Sequence, residues 1–245
     1  MAQDTTNYGV DLYGRRRLKD LLVRLDQIEG LEWIRLMYAH PAHLGDEILK
    51  LFAGLEKLVH YIDVPLQHAA TEILRAMGRK LTLARAERLL DRIRQTAPDM
   101  AVRTTFIVGF PGESPRHFEA LLKFVDNQRF DHVGVFAYSP EDRTAAARLP
   151  AQVPFAERRR RRKLLMQAQQ RIVLGRNRAM IGREMRVLVD GPSGRKRMPY
   201  VARSYREAPE ADSVVYLERG LVGRFAHVRI SGVRGYDLAA EMLGE

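Results

Sequence analysis

The sequence predicts an α/β protein in which a parallel sheet with connecting helices is followed by a smaller all-β barrel. In the first two-thirds of the chain, helical stripes of apolar residues alternate with short, bulky apolar runs. Each of these runs is followed by a polar loop or by one rich in glycine and proline. After Gly182, short apolar runs follow one another closely between glycine, proline and serine residues. Alternating strands and helices imply parallel pairing through right-handed crossovers.

The predicted elements of the first part follow from these two spacings. Apolar residues at helical spacing predict helices over 18–28, 48–55, 73–77, 83–93 and 118–125. Short apolar runs predict strands over 32–38, 61–66, 102–108 and 132–138. Because the carboxyl ends of parallel strands lie at one edge of a sheet, the loops after these strands are expected to form a common ligand-binding edge.

The last third of the chain is predicted to contain one long helix and then only strands. The helix is expected over 155–180, and the strands over 184–190, 200–205, 213–217 and 225–230. Strands this short and this close together suggest a small barrel of roughly 60 residues. The expected division is therefore 1–154 for the β/α part, 155–182 for the connecting helix and 183–245 for the barrel.

The composition is that of a chain that can bury a core, since 46% of its 245 residues are hydrophobic. The N-terminus is polar and no apolar run is long enough to span a membrane, so a soluble, cytoplasmic protein without a membrane partner is expected. There is no cysteine, which excludes disulfides, cysteine nucleophiles and thiolate-held clusters within this chain. His40 and His43 have the spacing of a metal site, but no further ligand accompanies them, so no metal site is expected.

The net charge of +11 favours an anionic partner, most often nucleic acid or a ribonucleoprotein surface. Part of the excess lies in one basic run, 158–163, which reads RRRRRK. A run of this kind is also typical of a solvated helix face, and charge alone does not decide between the two interpretations.

Strand parity predicts a layer of charged side chains inside the sheet. Side chains alternate between the faces of a strand, so Asp63 lies opposite the apolar face that meets the helices. The same alternation predicts that the side chains of Arg35 and Arg103 also point into the interior, away from the helices. Buried charges are costly unless they are paired or bound to a ligand. We therefore hypothesise that this layer forms the bottom of a polar ligand site. An ion-pair network that only holds the strands together is the alternative.

The loop 109–113, which reads GFPGE, is the most informative candidate for contact with a ligand. Its glycines let the main chain approach a ligand closely. Glu113 can accept hydrogen bonds from a ligand, but a role as cap of the helix that opens near Ser114 is preferred. Gln67 and His68 end another strand, so both can face the site, although a lone histidine is more often structural.

Several longer motifs resemble the methylthiotransferases of the radical S-adenosylmethionine superfamily. They are QDTT at 3–6, YG at 8–9, DVPLQHA at 63–69, RTTFIVGFPGE at 103–113 and VGVFAYSP at 133–140. The QH pair and the opening QDT are similar to the RimO branch, which modifies a ribosomal protein. The MiaB branch, which modifies tRNA, is similar but less close. RSYREAPEAD at 203–212 and YDL at 236–238 resemble the RimO version of a TRAM module.

The resemblance implies a partial radical-SAM β/α barrel followed by a TRAM domain, an OB-like barrel. It implies transfer of a methylthio group to the β-carbon of an aspartate in protein 12 of the small ribosomal subunit. The cofactors it implies are S-adenosylmethionine and two [4Fe-4S] clusters. In the family, one cluster binds S-adenosylmethionine and cleaves it reductively to a carbon radical, and the other takes part in sulfur delivery.

The resemblance also indicates which residues of this sequence belong to the site, without assigning individual catalytic roles. The positions that border the S-adenosylmethionine side in the family are Gln67, Arg103, Gly109, Phe110 and Pro111. The TRAM module is expected to hold the ribosomal protein. Its basic residues Arg195, Lys196 and Arg197 are expected to assist contact with the ribosome or RNA, through electrostatic attraction at the rim of the interface.

The chain departs from the family in its cluster ligands. The family's cysteines lie in a CxxxCxxC loop and in an earlier domain, both of which would precede Met1, so roughly four of the barrel strands are expected here. Alone, the chain is expected to bind no cubane cluster and to have no methylthiotransferase activity. Because its sheet edges are exposed, aggregation, oligomerisation or a partly open sheet is expected. A cysteine-free ribosome- or RNA-binding protein and a MiaB-like fragment stay open as alternatives.

Overall fold

Residues 4–244 are described by a computed structural model, in which they form two units that divide between residues 169 and 170. The helices of the first unit are α1 (Val10–Tyr13), α2 (Leu18–Asp26), α3 (Asp46–Gly54), α4 (Thr71–Ala76), α5 (Leu83–Thr96) and α6 (Pro115–Gln128). Its strands are β1 (Ile34–Leu36), β2 (Leu58–Asp63), β3 (Ala101–Val108) and β4 (His132–Ala137). Helix α7 (Phe155–Arg178) contributes residues to both units, and the short 3₁₀ helices are Thr5–Asn7 and Ala146–Arg148.

The four strands of the first unit pair in the order β1–β2–β3–β4, and every pair is parallel. This confirms the predicted α/β sheet. Asp63 on β2 lies opposite Arg103 on β3, and Arg103 lies opposite His132 on β4. The register therefore brings Asp63, Arg103 and His132 to the same level of the sheet.

Local sequence signals place the starts of the helices that cover this sheet. The side chain of Thr82 accepts a hydrogen bond from the amide of Arg85 at the start of α5. At the start of α6, Ser114 and His117 exchange side-chain to main-chain hydrogen bonds in a capping box, and Pro115 occupies the first helical turn. The sheet then buries large side chains such as Tyr61 and Phe106 completely.

The second unit is a closed barrel with the strand order β5–β6–β7–β9–β8. The strands are β5 (Glu184–Pro192), β6 (Tyr200–Arg203), β7 (Val215–Leu217), β8 (Phe225–Arg234) and β9 (Asp237–Gly244). The predicted small barrel is confirmed. Strand β9 was not predicted, because its DLAAEMLG sequence has weak strand propensity, and its pairing with both β7 and β8 outweighs that preference.

The barrel core is formed by apolar side chains that point inward from all five strands, among them Val187, Ala202, Leu217, Val228 and Leu238. The finer division of the chain into 1–154, 155–182 and 183–245 stays a prediction. Within residues 4–244, no helix combines the length and the apolar character that a membrane crossing requires.

Candidate functional site

A cavity of about 550 Å³ lies where β1 and β2 end and the following loops begin, beside residues within β3 and β4. Its lining residues are Tyr38, Ala39, His40, Pro41, Pro65, Gln67, Arg79, Arg103, Thr105 and Phe136. The loop residues that follow β1 and β2 therefore meet side chains of β3 and β4, as the parallel topology predicts. Two of the residues predicted to border the site, Gln67 and Arg103, line this cavity.

Gln67 has an unusual main-chain conformation, with a φ of +71°. Its amide donates to the carbonyl of Thr105 at 2.8 Å, and its carbonyl accepts from the amide of Ile107 at 2.9 Å. These two bonds hold the residue against β3 beyond the end of β2. Tyr38, another lining residue, has a φ of +55°. Such conformations are uncommon outside glycine and are concentrated at functional sites, where the surrounding structure enforces them.

The inward polar layer proposed from strand parity has a defined geometry. Asp63 is completely buried and lies 3.3 Å from Nη1 of Arg103. The second carboxylate oxygen of Asp63 accepts a hydrogen bond from the amide of Tyr38 at 3.2 Å. The guanidinium of Arg35 lies 5.1 Å from the centre of the Tyr61 ring. The Asp63–Arg103 pair thus orients a cavity-lining cation, whereas the role of the layer in holding a ligand stays a prediction.

Glu113 does not cap helix α6, so the preferred interpretation of this residue is wrong. Ser114 is the cap, and the carboxylate of Glu113 turns back into the loop instead. Its Oε2 atom accepts hydrogen bonds from the amides of Gly109 at 2.5 Å and Phe110 at 3.3 Å. Its Oε1 atom lies 2.9 Å from Nη1 of Arg161. A buried carboxylate therefore fixes the GFPGE loop from within, because it satisfies two main-chain donors and one cation.

The three predicted loop residues have different surroundings. Gly109 has a φ of +72°, and a β-carbon there would lie 2.9 Å from Cβ and 3.2 Å from Cα of Arg158. The close approach that requires glycine is thus made by an arginine of α7. Phe110 lines a second cavity of about 400 Å³, and its ring centre lies 5.2 Å from that of Tyr138. Pro111 is buried in the same loop. The role of all three in binding a cofactor stays a prediction.

The two cavities share a wall formed by Gln67 and Arg79. The second cavity is otherwise lined by Ala76, Met77, Gly78, Ile107, Phe110, Ala145 and Ala146, which makes it mostly apolar. The guanidinium of Arg79 makes no hydrogen bond or ion pair with the part of the chain that the structure describes. Sequence reasoning missed Arg79 because it follows a helix and not a strand, so strand parity gave no signal for it.

His68 is completely buried, and it does not line the larger cavity. Its Nδ1 atom accepts a hydrogen bond from the amide of Ala70 at 2.9 Å, so Nε2 is the nitrogen left to carry a proton. Nε2 lies 3.7 Å from Oε2 of Glu113, which exceeds hydrogen-bonding distance. This placement is that of a structural histidine, as the general preference for lone histidines indicates.

His40 lines the mouth of the larger cavity and stacks on His43 with ring centres 4.5 Å apart. Partial burial lowers the pKa of His40 below its ordinary value, and the neighbouring His43 lowers it further. Across residues 4–244 there is no group of three or more histidine, aspartate or glutamate side chains placed to hold a metal ion. Since the sequence also lacks cysteine, the residues of this chain do not fit a thiolate-held iron–sulfur cluster.

Comparisons with known proteins find relatives of both units. A model of the radical SAM superfamily matches residues 5–125, and a TRAM domain model matches residues 181–243. The ribosomal protein uS12 methylthiotransferase RimO of Desulforamulus reducens is 43% identical over 245 residues. The enzyme of the same name from Gloeobacter violaceus is 45% identical over 243 residues.

The chain belongs to the RimO-type branch of the radical SAM methylthiotransferase family. Each of these two alignments covers 99% of this chain and 55% of the relative, so the chain spans about half the length of the curated relatives it matches. Coproporphyrinogen III oxidase, HemN, from Escherichia coli shares the fold at 15% identity. Its TM-score is 0.51, and the match covers 87% of this chain and 51% of that chain.

Membership of the radical SAM methylthiotransferase family gives the two units their fold names. The parallel sheet is a partial radical SAM barrel, and the closed five-stranded barrel is a TRAM domain. The family also implies S-adenosylmethionine and [4Fe-4S] clusters as cofactors. Of the residues that were predicted from the sequence to border the cofactor, Gln67 and Arg103 line the larger cavity, and Gln67 and Phe110 line the second.

Proposed function

We propose that this chain forms the S-adenosylmethionine-binding wall and the TRAM domain of a methylthiotransferase that modifies an aspartate of ribosomal protein uS12. The observation that carries the proposal is the pair of adjoining cavities at the strand ends, in a chain 43–45% identical to two proteins named for this activity. The assignment of Gln67, Arg103, Gly109, Phe110 and Pro111 to cofactor binding is part of the proposal.

The chemistry of the cavities suits S-adenosylmethionine, which combines an amino acid, a ribose and a purine. The larger cavity offers the amide of Gln67, the cation of Arg103 held by Asp63, and the unengaged cation of Arg79. An amide can hydrogen-bond ribose hydroxyls, and a guanidinium can bind a carboxylate with two bonds. The second, apolar cavity suits a purine ring.

When bound, S-adenosylmethionine supplies the radical chemistry of the family. The residues of this chain bind and orient it, and they shape the cavity. The clusters are held elsewhere, because no thiolate is available in this sequence. We therefore assign no cluster-dependent step to any residue of this chain. We expect the isolated chain to be inactive as a methylthiotransferase.

The remaining parts of the proposal concern partners and location. The TRAM domain is proposed to contact uS12 and the ribosome, with assistance from Arg195, Lys196 and Arg197 at its surface. A cytoplasmic location follows from that partner. The outer strands β1 and β4 have unpaired edges within the described sheet, which makes them the proposed sites of self-association. The division into 1–154, 155–182 and 183–245 is retained for designing domain variants.

Binding of S-adenosylmethionine to the full chain, measured by calorimetric titration, tests the cofactor assignment. Gln67→Ala is expected to weaken binding by about tenfold, the loss that accompanies one or two hydrogen bonds. Gln95→Ala changes an exposed glutamine of α5 and is expected to leave the affinity unchanged. Equal affinities for the two variants would remove Gln67 from the cofactor site.

The absence of cysteine keeps a second function in view, in which the chain binds the ribosome or RNA through its TRAM domain without catalysis. Anaerobic reconstitution with iron and sulfide tests the expectation, common to both functions, that this chain holds no cluster, whereas the S-adenosylmethionine titration distinguishes the two functions. Capture experiments with purified uS12 and with tRNA distinguish the RimO-like assignment from a MiaB-like one. Retention of uS12 in preference to tRNA is the outcome expected from the RimO-like assignment.

A further inference from the structure

A third cavity, of about 400 Å³, lies in the first unit away from the two described above. Three separate segments of the chain line it: Thr6, the segment from Arg15 to Asp20, and the segment with His43, Glu47 and Ile48. None of its lining residues belongs to the cofactor cavities. The convergence of three segments distinguishes this basic cavity from a solvated helix face, which a charge run alone would suggest.

The cavity has a cationic lining that its own carboxylates do not neutralise. Four cationic side chains contribute to it, namely Arg15, Arg16, Arg17 and Lys19, against the two carboxylates of Asp20 and Glu47. Within the described residues, only Arg17 among these four cations has a carboxylate partner, with its Nε atom 2.6 Å from Asp20. That bond is the main reason that the pKa of Asp20 lies below its ordinary value. Within residues 4–244, neither Arg15 nor Lys19 makes an ion pair.

Arg16 is held in place by neutral groups. Its Nε atom donates to the side-chain oxygen of Asn7 at 3.0 Å, and its Nη2 atom donates to Nε2 of His43 at 2.8 Å. Because a guanidinium can only donate, Nε2 of His43 accepts and Nδ1 carries the ring proton. Nδ1 lies 3.1 Å from Oγ1 of Thr6 and 3.3 Å from the carboxylate of Asp4. Two fixed contacts therefore orient the Arg16 guanidinium while its remaining N–H groups stay available.

An oriented guanidinium beside two cations without ion-pair partners matches the requirements of a phosphate group. Arginine presents several donors in a rigid plane to phosphate oxygens, and lysine contributes a point charge. A cavity of this volume accommodates a phosphate together with part of an attached sugar. We propose that the basic cavity around Arg15, Arg16 and Lys19 is a phosphate-binding site, which takes either a phosphate of an RNA backbone or a free phosphate.

The proposal is tested on the full chain with two variants that each remove two positive charges. The first, Arg15→Ala/Lys19→Ala, removes the cations without ion-pair partners from the cavity. The control, Arg116→Ala/Lys123→Ala, removes two exposed cations of α6, outside the cavity lining. The probes are inorganic phosphate, followed by NMR, and a fluorescently labelled single-stranded RNA oligonucleotide, followed by anisotropy over a range of salt concentrations.

For the RNA probe, we expect the first variant to weaken binding by about tenfold or more and to reduce the salt slope of log K by about 1 to 2. The control reports the effect of net charge alone and is expected to change the slope by less. Saturable binding of inorganic phosphate by the parent chain, lost only in the first variant, would identify free phosphate as a sufficient ligand. An effect confined to RNA would identify the backbone as the ligand.

A chemical-modification experiment provides a second readout that does not depend on the variants. Acetylation of Lys19 in the parent chain is expected to slow several-fold in the presence of the probe that binds, whereas acetylation of Lys123 is not. Equal binding of both probes by the two variants, or equal acetylation rates at the two lysines with and without probe, would overturn the proposal.

Discussion

The guanidinium of Arg161 lies 2.9 Å from the carboxylate of Glu113, and the two side chains are only 4% and 0% exposed. Arg161 also donates to the carbonyl of Glu113 at 2.7 Å. Arg158, the first residue of the same basic run, is buried against Gly109 and bonds to the carbonyls of Val153 and Tyr138. Two of the six residues in the run are therefore buried, and they hold α7 against the loop after β3.

Glu113→Gln is expected to destabilise the first unit strongly, because it leaves the buried Arg161 without its fully buried charge partner. The loss in free energy of unfolding is expected to be about 3 kcal/mol, the lower end of the range for breaking a buried pair, since Glu157 still contacts Arg161 at 2.8 Å. Urea unfolding followed by the fluorescence of Trp33, the single tryptophan, measures it. Glu119→Gln, at an exposed site on α6, should cost less than about 0.5 kcal/mol. Equal costs for the two variants would contradict a structural role for the pair.

Gly109→Ala is expected to cost more than Gly112→Ala, although both glycines have positive φ values of +72° and +83°. An alanine at 112 meets no heavy atom within 4 Å, so it bears only the backbone cost of about 1 kcal/mol. At 109 the new β-carbon also meets the main chain and side chain of Arg158, which cannot both move aside. Urea midpoints with the same tryptophan signal compare the two variants. A difference below about 0.5 kcal/mol would show that α7 adjusts at this contact.

The stability of the chain is expected to fall in acid as the carboxyl group of Glu157 takes up a proton. Hydrogen bonds from Arg160 and then Arg161 lower the pKa of Glu157 from 4.5 to about 2. A folded-state pKa below the unfolded value stabilises the fold above the unfolded pKa, so this contribution is lost as the pH falls from about 4.5 to about 2. Because Glu157 is partly solvent-exposed, screening limits the effect. Urea unfolding of the parent chain and of Glu157→Gln at several pH values should show a shallower pH dependence in the variant.

His40 is expected to titrate below 6.5, because burial and then the neighbouring His43 lower its pKa. The unfolded chain binds the proton more readily, so stability is highest above pH 6.5 and falls as the pH drops from 6.5 towards the lower pKa of His40 in the folded chain. Two-dimensional NMR of the imidazole resonances gives the pKa directly. A measured pKa at or above 6.5 would show that the mouth of the cavity is more hydrated than the structure indicates.

Part of the site could be predicted from the sequence and part could not. The pairing of Asp63 with Arg103 follows from alternation along two parallel strands, which is a local property. The positive φ of Gln67 does not, because only its two hydrogen bonds to β3 enforce that conformation. Arg79 was missed for a similar reason: it lies past the end of α4 and reaches both cavities only through the packing of that helix.

The sequence by itself determined the order of the longer helices and of strands β1 to β8, the parallel sheet, the small barrel and the absence of thiolate ligands, because spacing and composition fix these locally. Tertiary structure decided which partner each charged side chain takes. Glu113 does not cap helix α6 as predicted. Its carboxylate bonds to Gly109, Phe110 and Arg161 instead, because a buried carboxylate is stabilised most where several hydrogen-bond donors converge. The basic run was likewise divided between solvent and interior by the face that α7 presents to the loop, which composition does not specify.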